Sequence, residues 1–217
     1  MADATQSELD HLVFAGPDLA VAVEQIEELL GVTGTPGGAH PGLGTRNVLF
    51  SLGSTCYLEV IGPDLEQPEP AQPRPFGIDG LQRPGLVTWA VRPPAGEPIG
   101  HWVATLEAHD VHPGPVVAMS RRRPDGGLLE WQLTRSVGGE GGVGRLRPFL
   151  IDWGDSVHPS SVTPPGLTLS ALRLQHPEPA AVGAAFRALG LEVPVEEGPV
   201  FSMIADLQGP AGAVQLR

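Results

Sequence analysis

The sequence is short of cysteine, of basic charge and of long apolar runs, and each shortage closes off a class of protein. A single cysteine, Cys56, stands among 217 residues. That excludes an internal disulfide framework, and in its strand-like setting the thiol reads as a small buried side chain. No run of about 18 apolar residues is present to span a membrane. The opening stretch MADATQSELD has neither the basic nor the apolar region of a signal peptide. Together these features make the cytoplasm the expected location. Lysine and arginine number 13 against 25 aspartates and glutamates, a net charge of −12. Such a balance argues against nucleic acid or an anionic membrane as partner. A small-molecule ligand is the expected partner, with the chain a monomer or homodimer. Also missing are a phosphate loop, a GxGxxG that follows a strand and opens a helix, a CxxC pair, an HExxH and a GxSxG, so the chemistries those motifs carry have no support.

What the chain does have is glycine (29) and proline (24), placed between periodic segments more than inside them. This is a turn-rich architecture of short elements, long enough for one large domain or two to three small modules. Leu9–Phe14 reads as a strand and Asp18 as the N-cap of a helix. The helix carries Leu19, Val23, Ile26, Leu29 and Leu30 on its stripe and stops at Gly31. Thr33–Gly44 is glycine-rich, with room for a short irregular strand. Arg46–Leu52 and Thr55–Ile61 follow as strands joined at Gly53-Ser54. Residues 7–62 thus form a first βαβββ module, and 63–84, with six prolines, read as a linker. A second βαβββ-like module spans 85–154. It contains a strand Leu86–Val91, a helix Ile99–Ala108, a hairpin Val116–Arg122 with Leu128–Thr134, a glycine-laden loop Gly138–Gly144, and a last short strand Pro148–Trp153. Residues 155–166 are a loop. The pattern then restarts as a third, degenerate βαββ module over 167–217, an internal repeat by element order and not by identity.

Alternation assigns faces to the bracketing strands of the first module. Leu12 and Phe14 point one way, as do Cys56, Leu58 and Val60. His11 with Val13, and Thr55 and Tyr57 with Glu59, point the other. If the helix covers the apolar faces, an imidazole and a carboxylate meet on the uncovered side of the sheet. Helix-on-sheet units of this kind can join their open faces into a cup.

LDHLVFAGPDL and YLEVIGP resemble the first module of the vicinal oxygen chelate superfamily, and GLVTWAVRP, LLEWQLT and PFLIDWGDSVHPS resemble the continuation of its glyoxalase-like branch. The resemblance covers about Leu9 to Ser161. It implies an α+β fold in which two βαβββ modules form a curved sheet around a divalent metal, with helices outside. Metal ligands come from the first and last strands of each module. His11 and Glu59 match the first-module pair, and Mn²⁺, Fe²⁺, Zn²⁺ or Ni²⁺ would suit them. By strand position their counterparts are Thr88 or Trp89 with Gln132 in the second unit, and Ala171 with Gln215 in the third.

Other residues are candidates for substrate contact. Asp152, Trp153 and His158 lie in an element that folds over the cup mouth if the resemblance holds. Of the basic run Arg121, Arg122 and Arg123, with Arg135, Arg145 and Arg147 nearby, alternation sends Arg122 to the opposite face from its neighbours, and one of them would enter the cup to bind a carboxylate or phosphate. His101, His109 and His112, and His40 and His176 in turns, read as surface residues. Two functions stay open. One is an enzyme acting on an oxygen-rich molecule, such as a 2-oxoaldehyde adduct or a catechol-like compound, with metal as Lewis acid and Glu59 moving a proton (lyase, isomerase or dioxygenase chemistry). The other is a metal-free binding or resistance protein that holds a ligand in the cup.

Overall fold

A computed structural model describes residues 8–94, 97–108, 112–122, 126–135, 148–188 and 190–217. The Gly138–Gly144 loop, His109, Arg123, Arg145 and Arg147 lie outside them. The first module consists of β1 (Glu8–Ala15), α1 (Leu19–Leu30), β2 (Thr35–His40), β3 (Thr45–Ser51) and β4 (Tyr57–Pro63). Asp18 caps α1 by accepting from the Ala20 and Val21 amides, and Gly31 ends it at φ 70°, a left-handed position that glycine takes without a Cβ clash. Ala22, Ile26 and Leu30 are buried, whereas Leu29, part of the stripe read from sequence, is 38% exposed. The second module consists of β5 (Gly85–Arg92), α2 (Ile99–Ala108), β6 (Val116–Arg122), β7 (Leu128–Thr134) and β8 (Phe149–Asp152). The last contains β9 (Thr168–His176), α3 (Pro179–Ala188), β10 (Val195–Glu197), β11 (Ser202–Gly209) and β12 (Gly212–Leu216).

The first two modules share one eight-stranded sheet in the order β2-β3-β4-β1-β5-β8-β7-β6. β4 runs parallel to β1, β8 runs parallel to β5, and β1 and β5 pair antiparallel at the seam. β2 at one end comes into contact with β6 at the other, so the curved sheet nearly closes into a cup. Leu12 and Trp89 pair across the seam and give it a local two-fold symmetry. His11 then corresponds to Thr88 and Val13 to Ala90. The convex side is covered: Leu12, Phe14, Leu58, Val60, Trp89 and Val91 share a core with α1, α3 and the last sheet.

The third unit repeats the element order but not the pairing. It also contains the three-residue β10, beyond the expected βαββ order, and its strands run β10-β9-β11-β12, so β11 and not β12 lies beside β9. Gln215 on β12 therefore has no place equivalent to Glu59. This sheet packs on the covered side of the larger one, where Ala211 donates to the Leu30 carbonyl at 3.2 Å and only glycine at 209 lets the backbones approach.

Residues 63–84 do more than space the modules. Pro75–Gly80 forms a 3-10 turn in which Ile78, 1% exposed, packs with Val13, Ala15, Ile61 and Val87. Arg74 ties the excursion down by donating to the Gly44 carbonyl and pairing with Glu69 and Asp79.

Candidate active site in the cup

β1 and β4 bring His11 and Glu59 onto the concave face, with His11 Nε2 3.6 Å from Glu59 Oε2. Both are buried, at 2% and 7% exposure. Tyr57, paired with His11 in register, stacks on its ring at 4.6 Å. Phe149 meets the imidazole edge-on at 5.4 Å.

Alternation places Asp10 with Leu12 under the helix. The structure turns it the other way because the β1–β5 register shifts between Leu9 and His11, making Asp10 the extra residue of a β-bulge, which re-aims a side chain. Asp10 is fully buried; it accepts three hydrogen bonds and sits in one ion pair. His11 Nδ1 reaches Oδ1 at 2.6 Å, and Trp153 Nε1, His158 Nε2 and Arg92 Nε reach Oδ2 at 2.9, 2.9 and 3.1 Å. Burial alone raises its pKa, but the hydrogen bonds from His11 and His158 outweigh that and hold the carboxyl well below the usual range. The polar tips of Trp153 and His158 are thus engaged by Asp10. His158 Nδ1 caps the turn at Pro159–Val162 by accepting from Ser160 N.

Asn47, on β3, sits diagonally across from Glu59 and donates to its Oε1 at 2.5 Å. His40 is buried, not at the surface as its turn-like context indicated. Its Nδ1 lies 3.0 Å from Thr45 Oγ1 and its Nε2 3.9 Å from Glu59 Oε1. Burial lowers the His40 pKa, with Glu59 acting in the opposite sense. Burial, then Asp10 and Glu59, push the Tyr57 phenol well above its ordinary value. Cys56 is pushed up to about 12, again chiefly by burial, and is no nucleophile. The Asn47 Oδ1 is buried and has no hydrogen-bond partner among the described residues.

The remaining sequence candidates lie elsewhere. Gln132 is exposed on β7 and pairs with Asp152 on β8. β8, not β7, takes the place of β4, and the register Val13–Glu59 against Ala90–Phe149 puts Phe149 where Gln132 was expected. Asp152 accepts from the Gly154 amide. For Arg122 only the backbone, at the end of β6, is described, while Arg121 is the buried arginine, 5% exposed, and its charge acts on His40 and Tyr57. His176 is likewise buried rather than superficial, accepting from Glu178 N. His101 is exposed.

A family model described as a glyoxalase-like domain matches residues 9–190. The chain belongs to the glyoxalase-like domain family. No curated protein matches its sequence. Among solved structures, a hypothetical protein from Staphylococcus aureus overlaps this glyoxalase-like chain with a TM-score of 0.63 at 15% identity, covering 96% of this chain and 85% of that one. A mutant 4-hydroxymandelate synthase from Streptomyces coelicolor gives 0.52 at 12%, covering 97% and 62%. Methylmalonyl-CoA epimerase from Mycobacterium tuberculosis gives 0.41 at 19%, covering 66% and 85%. The fold is that of the vicinal oxygen chelate proteins, and no helix among the described residues is long and apolar enough to cross a membrane.

The donor set does not fit the four-strand metal centre that the resemblance implies. Two positions hold His11 and Glu59, but their symmetry mates are Thr88 and Phe149, and three or four protein donors are the rule. Among the described residues no cluster of three or more histidines, cysteines, aspartates or glutamates has metal-holding geometry.

Proposed function

We propose that this glyoxalase-like protein is a small-molecule enzyme in which Glu59 transfers a proton on an oxygen-rich substrate, with His11 binding the neighbouring hydroxyl. The 3.6 Å gap between His11 Nε2 and Glu59 Oε2 carries this reading. An ionised Asp10 only accepts, so a neutral His11 keeps its proton on Nδ1 and presents a bare Nε2 to the gap. Two acceptors therefore face one another, and a group that enters between them must donate. An α-hydroxycarbonyl compound, such as a thiol adduct of a 2-oxoaldehyde, supplies that hydroxyl. Glu59 would take the proton from the hydroxyl-bearing carbon beside the carbonyl, leaving an enediolate, and return it to the former carbonyl carbon, while the hydroxyl proton passes by way of His11 Nε2 to the other oxygen. The orphaned Asn47 Oδ1 suits a second hydroxyl donor, while Asn47 Nδ2 keeps the Glu59 carboxylate in place.

The test is deuterium uptake at carbon when a panel of such adducts and α-hydroxyketones is incubated with the protein in D₂O. Exchange should be lost by about 10²-fold or more in Glu59→Gln, the range for removing a general base. A second reading, a metal-free binding protein, draws on Phe149 and Tyr57 flanking His11 as aromatic walls. Saturable binding of the same compounds without any exchange would favour it and defeat the enzymatic reading.

A further inference from the structure

We infer that Asp10 is a positioning residue that sets the tautomer of His11 and so decides which face of the imidazole chemistry the cup presents. The inference rests on the reading of His11 as the hydroxyl-binding partner of Glu59, although its test needs no substrate. The two oxygens of Asp10 are unequally loaded. Oδ1 meets His11 Nδ1 alone at 2.6 Å, whereas Oδ2 meets Trp153 Nε1, His158 Nε2 and Arg92 Nε. The bulge is what allows this, since a regular strand would send neighbouring side chains to opposite faces. Arg92 is itself fixed by Glu8 and by the Thr55 carbonyl, and the Pro159–Val162 turn holds His158 through Ser160, whose hydroxyl donates to the Ser54 carbonyl at 2.7 Å. The carboxylate is thus gripped from several directions, and the one proton it can receive from His11 is the Nδ1 proton.

The asymmetry gives a directional consequence for Asp10→Asn. Three donors compete for one oxygen, so the amide oxygen of the variant turns to Trp153, His158 and Arg92, and its NH₂ turns to His11. A neutral His11 must then accept at Nδ1 and carry its proton on Nε2, facing Glu59. The same logic makes a carboxylate-to-amide change behind a catalytic imidazole severe without disturbing its place.

The experiment is long-range ¹H–¹⁵N correlation of the histidine rings at a pH where His11 is neutral, with its signals assigned by their loss in His11→Gln. In the unmodified protein, His11 Nδ1 is expected at a pyrrole-type shift and Nε2 at a pyridine-type shift. In Asp10→Asn the two exchange, and in His158→Gln, which leaves Oδ1 untouched, they do not. On a substrate found by deuterium exchange, Asp10→Asn lowers kcat about 10–100-fold, the range for removing the group behind a ligating or reacting histidine, with KM little changed. A pyridine-type Nδ1 in the unmodified protein overturns the inference even if the variant fails to fold. Unexchanged shifts in a folded Asp10→Asn overturn it as well. Absence of deuterium exchange would sink the proposed reaction and leave the tautomer result standing.

Discussion

Reading outward from the Leu12–Trp89 pair at the seam gives Asp10, His11 and Glu59 in the first module and Val87, Thr88 and Phe149 in the second. Even the bulges correspond: the register slips at Asp10 on β1 and at Val87 on β5. One half of the cup therefore buries aspartate, two histidines and glutamate, together with Asp64 at its edge. Among the described residues of the other half, the buried polar side chains are Thr88, Arg121 and Thr134. A backbone that repeats has been filled with carboxylates and imidazoles on one side and, Arg121 apart, with apolar or neutral groups on the other. The polar half is affordable because each carboxylate finds donors, and the apolar half supplies the dry wall that strengthens them.

The covered side of the seam does not share this asymmetry, and breaking it there should have the largest effect. Trp89 is fully buried and meets Phe186 edge-to-face at 5.4 Å. Trp89→Ala should cost about 3–5 kcal/mol by urea unfolding, with the concave groups left in register. On the concave side the comparison can be erased instead. Thr88→His together with Phe149→Glu restores donors at both symmetry-related positions. The folded double variant should bind Zn²⁺ stoichiometrically in a calorimetric titration, about 10²-fold or more tighter than the parent. Unchanged affinity would mean that the backbone register does not carry the side chains to one point.

The convergence of His11 with Glu59 was legible because alternation in β1 and β4 is regular from His11 onward, and helix α1 has clear caps. Asp10 was not, since a bulge shifts parity by one and leaves no mark in the residues themselves. Asn47 carried a signal that could have been used: a polar residue sharing a face with Leu49 in a buried strand. His40 was hidden by its glycine-rich surroundings, which read as a turn although Thr35–His40 is an edge strand pairing with β3. Gln132 does not match Glu59 because the strand beside β5 is not β7 but the four-residue β8 beyond it, within the expected last short strand Pro148–Trp153. The last unit shows the same limit at larger scale. Element order recurs there, but which strand neighbours which depends on contacts far apart in sequence.

The smallest effect expected of the asymmetry is a pH dependence confined to the first half. Burial among β2, β3 and β4 lowers the His40 pKa below its ordinary 6.5, Arg121 acts in the same sense, and Glu59 and Asp64 oppose it. The unfolded chain therefore takes up a proton at a higher pH than the folded one does. Stability is complete above the unfolded value and falls as pH drops below about 6.5, by at most about 1.4 kcal/mol per pH unit for this one group. His40→Gln keeps a polar group beside Thr45 and Asn47 but cannot titrate. Urea midpoints measured from pH 7.5 to 5 should slope less in the variant than in the parent, and the two curves should converge toward acid. Parallel curves would mean that His40 binds its proton equally in the folded and unfolded chains, whereas a parent that gains on the variant toward acid would mean that His40 is charged in the folded cup and paired with Glu59, and the difference between the two halves would then be one of ion pairing rather than of neutral burial.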